Sequence, residues 1–575
     1  MSQVNLSKKL PFLLVLIVFV GFALRVWGIN FGLPYQFHQD EPIVVNHALA
    51  YGTGDLNPHF FIIPPLCSYL LLVFYGFSFI LGKIVGSFPD PYSFALYFFR
   101  DPSIFYIIAR MLLGVIPGTL SIWLVYKVYA RFFGIQGKLY AAMVVAFSFL
   151  PVINSHYAYA DNLMVILILL CYLSFLRMVD HPLWKNYFIS GILTGLAVNT
   201  KYNSAILAVS FMAAHIWGVC NTESKRIKIF FDRKLWIFAL TAISVFLITN
   251  PFSVLDWKFF LSQTFGGIRH DYMGWTHHMT YSMVEGIGLW LVVFGLLGFI
   301  AILKREKPLK WLLFFSFPVM FYVHLVFASQ PFSRYVLPLI PFFAMGASYF
   351  LFSVLCPVIR RRTHKILIIF LAAILLLPTA LKSVKADILF LGSDTRAISK
   401  EWFENNIPPY SKVAADHTSL RPHILQTKEQ MSQKTEITNA QKGLKAIKDR
   451  KIELEQKALA GGKTYNVYFL TYKDETRGQF LSTVPAINYD IGALREEGID
   501  YVTINFNTMN PEKKDFLDIL NKNADIIATF SPYSDNSIRE PYDRLDHTFM
   551  AIGSRELFLR RSTGPSLVVY RIRTE

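Results

Sequence analysis

Apolar runs close to 20 residues long recur through the first two thirds of this 575-residue chain, and nothing else in it constrains the fold so strongly. A helix needs about 20 such residues to cross hydrocarbon. Eleven runs qualify as candidate spans: 10–29, 104–130, 139–154, 163–176, 187–198, 203–219, 235–249, 286–303, 311–328, 335–355 and 366–381. Charge is scarce, at 17% of residues, against 54% hydrophobic and 16% aromatic. Soluble domains carry about 25% charged residues, so an ordinary cytosolic enzyme and a disordered chain are both excluded. The first run follows Lys8 and Lys9 like a signal peptide, but no small-residue cleavage site closes it, so a retained span is expected.

The formal net charge of +17 would suggest nucleic acid in a soluble protein. Here much of the excess lies in short loops between apolar runs, where it sets orientation in a membrane. The loops with Arg131 and Lys138, Arg177 and Lys185, Lys225 to Lys234, Lys304 to Lys307, and Arg360 to Arg362 all read as cytoplasmic. Eleven spans counted from a cytoplasmic N-terminus place every one of them inside. A twelfth apolar run, 66–81, would invert them all if it crossed, so it is expected to lie at the outer interface or to dip without crossing. Cys67, Cys171, Cys220 and Cys356 show no metal-ligand spacing, which argues against a disulfide scaffold and a zinc ribbon.

Composition changes near Leu381. The expected organisation is a polytopic helical membrane domain, 1–383, followed by a small extracytoplasmic α/β domain, 384–575. In the second domain 399–405 reads as helix, and 412–415, 465–472, 500–506, 525–530 and 567–572 read as strands. The stretch 426–459 is rich in Lys, Gln and Glu and reads as a solvated helix pair or an insertion. No phosphate-binding loop, dinucleotide turn or hydrolase elbow occurs, so this domain reads as a supporting module, or as a guide for an acceptor.

Chemistry concentrates at the outer ends of the spans. The first outer loop carries the adjacent carboxylates Asp40 and Glu41 before Pro42. Near an apolar rim such a pair can supply a general base and a positioning group, while the plain alternative is a solvated, acid-capped helix start. Asp161 sits in a tight turn between two apolar runs, either as an intramembrane functional acid or as the cap of the next span. Lys201, Arg334 and Arg110 lie on the same side. Singly, each could be an interfacial anchor; together, beside two acidic sites, they suit a pocket for a phosphate-bearing lipid.

The order of short motifs adds to this. Gly54-Asp55-Leu56-Asn57-Pro58, Phe60, Pro64-Pro65-Leu66 and Tyr69-Leu70 are followed by Ala109-Arg110, then Ser155-His156-Tyr157 with Asp161. Next come Thr200-Lys201-Tyr202 and Arg334-Tyr335-Val336-Leu337-Pro338, and in the tail Trp402, Asn406-Ile407-Pro408 and Gly498-Ile499-Asp500-Tyr501-Val502. The series resembles bacterial GT-C glycosyltransferases that use phospholipid carriers, which are similar to the protein O-mannosyltransferases and to the aminoarabinose transferase of lipid A. The resemblance implies a polyprenyl-phosphate sugar donor and transfer on the outer face of the plasma (inner) membrane. It implies Asp40 as the catalytic acidic residue with Glu41 beside it, Asp161 as second acidic site, and Lys201, Arg334 and Arg110 near the carrier phosphate. Tyr202 and His59 fall in its motifs and join the candidate substrate-binding set. The β-trefoil repeats of eukaryotic O-mannosyltransferases are missing, so a protein acceptor is not implied over a lipid or a glycan.

The expected activity is therefore inverting sugar transfer with Asp40 as base. A divalent metal is possible, held by Asp161 and Glu41 or by His59, His270, Asp271, His277 and His278; without ligand spacing the histidines read more simply as interfacial. Two other readings differ in class. A lipid or solute transporter would spread charge through the middle of its spans and break helices at midplane, whereas here only Pro117 between Gly114 and Gly118 suggests a kink. A structural envelope subunit would leave the charge cluster without a use.

Overall fold

The computed structural model describes residues 3–38, 40–222, 232–265, 276–327, 332–358, 362–416, 422–430, 453–458, 461–471, 484–507, 509–542 and 553–573. Each of the eleven expected spans is helical in it. Among the described residues, seven helices are long and apolar enough to cross a membrane, and two bent pairs pass the same test together. The chain is a multi-pass membrane protein with a small mixed sheet at its C-terminal end.

Helix α1, Gln3–Val26, leads to the short α2, Glu41–Ala50. The run expected at the interface is α3, Leu66–Ile84, and it has the length and hydropathy of a span. Only 28% of its apolar window is buried, and Val73, Phe77, Ile80 and Ile84 stay exposed, a surface suited to lipid. Such a length and hydropathy suit a helix that lies at the interface as well as one that crosses.

Helix α4, Pro91–Arg100, precedes the long α5, Ser103–Phe133, which contains a π-helical turn at Met111–Val115. A bent pair follows, α6, Lys138–Phe147, and α7, Phe149–Asn154, and the chain then turns tightly into α8, Ala160–Asp180. Gly114 permits that turn to press on α5: a Cβ there would collide with the carbonyl oxygens of Ser155 and Tyr157. Helices α9, Trp184–Thr200, and α11, Arg233–Thr249, pack against each other at Gly191 and Gly195, whose missing side chains admit Thr241 and Val245. Between them runs α10, Leu207–Thr222, and after them the short α12, Trp257–Phe265.

A sharp 114° bend separates His278–Ile287 (α13) from α14, Leu289–Arg305. Then come α15, Pro308–Val326, and α16, Ser333–Leu355, which begins in a 3₁₀ turn. Helix α17, Arg362–Leu391, runs unbroken past position 384, so the last span and the polar tail share one helix.

In the tail, α18, Thr395–Asn406, starts four residues before the expected 399, because Asp394 caps it by accepting the Arg396 N–H. All five expected strands form: β1, Lys412–Asp416; β2, Asn466–Thr471; β4, Tyr501–Asn505; β5, Ala524–Phe530; β6, Leu567–Ile572. A short β3, Ala486–Asn488, and the helices α19, Ile491–Glu496, α20, Pro511–Asn523, and α21, Ser554–Leu559, complete it. The sheet order is β3-β2-β1-β4-β6-β5, parallel from β3 through β4 and antiparallel at β6 and β5. Most of the polar stretch 426–459 lies outside the described residues.

Candidate functional site

Asp40 stands at the start of α2 and would be its natural cap, yet its side chain makes no capping bond. The ring of His38 does that work: its Nδ1 accepts the N–H of Asp40 at 3.1 Å and of Glu41 at 3.3 Å. An imidazole that accepts two amides is neutral at Nδ1. Burial, aided by the positive charges of Arg334 and Arg110, holds the His38 pKa well below its ordinary value. The Asp40 carboxylate is thereby freed to point at Arg334, whose Nη2 donates to Oδ2 at 2.7 Å.

Asp161, in the first turn of α8, also caps nothing. Its Oδ1 accepts from Lys201 Nζ at 2.6 Å, and its Oδ2 lies 3.9 Å from Arg334 Nε. Arg334 thus bridges two carboxylates, and four side chains from four distant segments form one network of two acids and two bases. Tyr159 and Tyr335 wall it. Lys201 Nζ is 5.0 Å from the Tyr335 ring centre, and Arg334 Cζ is 5.2 Å from that of Tyr159, within cation–π range. Asp40 and Lys201 keep 21% and 19% of their side chains exposed, against 4% for Asp161 and 6% for Arg334, so a ligand meets the first two.

Glu41 and Arg110 lie beside this network and outside it. Both are completely buried. Arg110 grips Glu41 with two parallel bonds, Nε to Oε1 at 2.7 Å and Nη2 to Oε2 at 2.8 Å, and its Nη1 reaches the carbonyls of Ile29 and Phe31. Glu41 Oε1 also accepts the Ala158 N–H at 2.8 Å. Neither group has a face left for an acceptor, a cation or a phosphate.

Tyr202 follows Lys201 but packs its ring against Phe260, 6.0 Å between centres. His59 bonds Asp55 at 2.9 Å, a contact that holds that carboxyl below its usual pKa, and Asn57 Nδ2 reaches Asp256. These tie the first outer loop to the region of α12 rather than to the acids. His270 and Asp271 lie outside the described residues, and among the described residues no three His, Cys, Asp or Glu side chains are grouped to hold a metal. Sequence reasoning gave no role to His38, Tyr159 or Tyr335, although the first two sit two residues before Asp40 and Asp161 and the third lies within the Arg334 motif.

Residues 103–250 match the model of the dolichyl-phosphate-mannose-protein mannosyltransferase family. The matched segment holds Arg110, Asp161 and Lys201 and leaves Asp40 and Arg334 outside. The resemblance to GT-C glycosyltransferases therefore rests on a match to enzymes of glycosyl transfer as well as on motif order. No curated protein sequence matches the chain. Among solved structures, ArnT from Cupriavidus metallidurans bound to undecaprenyl phosphate aligns over 98% of each chain, with 11% identity and a TM-score of 0.47. The oligosaccharyltransferase AglB from Archaeoglobus fulgidus, in complex with an inhibitory peptide and a dolichol-phosphate, aligns over 92% of this chain and 74% of its own, with 12% identity and a TM-score of 0.47.

Proposed function

We propose that the chain is an inverting glycosyltransferase that takes a sugar from a polyprenyl-phosphate donor on the outer face of the plasma membrane. The observation that carries this is the joining of Asp40, Asp161, Lys201 and Arg334 in one largely dry network. A family match named for a lipid-phosphate mannose donor supports the same donor class.

Asp40 accepts the proton of an acceptor hydroxyl or amine as that atom bonds the anomeric carbon. The bond from that carbon to the phosphate oxygen breaks on the opposite face, and its electron pair leaves on the phosphate, which inverts the centre. Two acids and two bases make the network formally neutral. The leaving phosphate gains one negative charge as Asp40 loses one by taking the proton. At that moment Arg334 no longer has an anion at Asp40 and is released toward the phosphate, where fixed positive charge acts in place of a general acid. Lys201, partly exposed and held by Asp161, meets the donor phosphate first. Glu41 and Arg110, expected at the substrates, serve instead as a buried strut. Arg110 takes both Glu41 oxygens, so Glu41 is not available to a divalent cation.

Purified full-length protein offered a panel of undecaprenyl-phosphate sugars, scored for release of the free carrier, tests the reading. Release with one donor, lost in Lys201→Met, supports it; no release with any donor, together with lipid movement across vesicles, would make the chain a transporter. The orientation has its own check. Cysteines placed at Asp90 and Ser534 should react with an impermeant thiol reagent from outside, and labelling only after permeabilisation would reverse it.

A further inference from the structure

The C-terminal domain touches the segment that carries Asp40, and it does so with a buried charge, Arg396. Arg396, in the first turn of α18, is buried and paired in parallel with Asp394, Nε to Oδ1 at 2.8 Å and Nη2 to Oδ2 at 2.9 Å. Its remaining Nη1 points at the Phe37 carbonyl, 3.4 Å away, and its guanidinium plane lies 3.8 Å from the Phe37 ring centre. Phe37 precedes His38, the residue that orders the amides of Asp40 and Glu41.

Two further contacts bear on the same few residues. Lys400 stands 5.4 Å above the Tyr35 ring and His423 packs 6.0 Å from it, and Tyr35 itself leans on Phe37. Between Tyr35 and Phe37, Gln36 is held at a φ of 57°, a left-handed conformation that a non-glycine residue keeps only when its surroundings enforce it. One enforcing bond comes from the membrane domain, Tyr106 Oη to Gln36 Oε1 at 2.8 Å. A second is local, the Gln36 N–H to the Gly32 carbonyl at 3.1 Å, while the flanking Phe37 and Tyr35 meet Arg396 and Lys400 of α18. Ser554 on Glu285 and Lys457 on Tyr92 also join the two parts, and neither contact touches this segment.

We infer that the C-terminal domain sets the position of the Asp40 carboxylate through Arg396, which makes Arg396 a positioning residue for transfer. The activity arm of this inference rests on the glycosyl-transfer reading; the backbone arm does not. Arg396→Lys keeps a charge beside Asp394 but loses the flat fork that faces both Asp394 and Phe37. Phe37→Leu leaves the Asp394 pair intact and removes the ring beneath it, so it serves if Arg396→Lys does not fold.

In the full-length protein each variant is measured for carrier release and for amide hydrogen exchange across residues 36–41. The expected result is a fall in kcat of about ten- to a hundredfold, the scale of a displaced catalytic group. The KM for the donor stays within about twofold, because Lys201 and Arg334 are untouched. Exchange at the Asp40 and Glu41 amides quickens, and Lys457→Ala changes neither quantity. Unchanged kcat in a folded variant, with or without faster exchange, overturns the inference, as does an equal loss in Lys457→Ala. If wild type transfers no sugar at all, the transfer reading fails, and unchanged exchange in both variants then overturns the positioning as well, whereas faster exchange upholds it.

Discussion

Replacing Asp40 with Asn should move turnover and donor affinity in opposite directions. Asparagine keeps the size of the side chain and removes both its charge and its capacity to take a proton. Loss of a positioned general base costs about 10²–10⁴ in rate. Affinity is governed by a different bond. Arg334 Nη2 is committed to Asp40 at 2.7 Å, and on the proposed mechanism a donor phosphate has to draw it away. A hydrogen bond to a charged group contributes about 1.5–3 kcal/mol. At about 1.4 kcal/mol per decade, that is about ten- to a hundredfold in affinity. Asp40 is one-fifth exposed, so water replaces part of the lost bond and the lower end, about tenfold, is the expectation. Binding of undecaprenyl phosphate, read by fluorescence titration in detergent, should tighten by that factor while carrier release falls by at least about a hundredfold. Weaker binding with preserved turnover would refute both the base and the transfer of Arg334 to the phosphate. Lost turnover with unchanged binding would keep the base and refute the movement of the arginine.

Three further outcomes follow from groups around the network. Glu41→Gln leaves a buried Arg110 without its counter-charge, a loss of about 3–5 kcal/mol; thermal unfolding in detergent should show a large drop in Tm, and a wild-type Tm would deny the strut. In the tail, Lys513 Nζ donates to Asp416 Oδ2 at 3.0 Å and to the Asn505 carbonyl at 2.7 Å, with all three residues buried where β1 and β4 end. Lys513→Met should therefore speed hydrogen exchange in β1 and β4 and leave the helices of the membrane domain unaffected; equal protection in both strands would contradict it. His38 is held neutral in the fold, whereas the unfolded chain binds a proton below about pH 6.5. The unfolded state then carries more protons, so stability is complete above that pH and declines as pH falls toward the folded-state pKa, by up to about 1.4 kcal/mol per pH unit. His38→Asn, whose amide oxygen can still accept the two N–H groups, should flatten the fall of Tm between pH 7 and 5; parallel curves would remove His38 as its source.

The helices and strands were legible because each is announced locally, by apolar runs in the membrane and by alternating or β-branched stretches in the tail. The four charged members of the network were legible too, since a carboxylate or a lysine at the edge of an apolar run is costly and stands out. What the sequence did not disclose is how such charges divide among partners. Arg110 and Arg334 look alike as residues, yet one is closed on Glu41 and the other bridges Asp40 and Asp161. Pairings across 69 or 173 positions depend on how helices pack, and nothing in local pattern encodes them. The same holds for Arg396 on Phe37, and for Arg25 in α1, which spends its guanidinium on the carbonyls of Gly21, Val145 and Ala146.

Asp40 and Glu41 illustrate how neighbours acquire different work. A helix start turns successive side chains about 100° apart, so one can face a cavity while the next faces packed protein. Glu41 faces inward, where Arg110 and the Ala158 amide take both its oxygens. Ala158 lies three residues before Asp161, and Glu41 lies one after Asp40. The buried carboxylate therefore ties the segment bearing Asp40 to the segment bearing Asp161, while Arg110 adds the Ile29 and Phe31 carbonyls in the turns after α1. A reaction that moves a proton onto Asp40 while a phosphate settles between Lys201 and Arg334 tolerates little change in the spacing of those two segments. On the proposed mechanism, the acid closed off by Arg110 is the one that fixes where Asp40 and Asp161 stand.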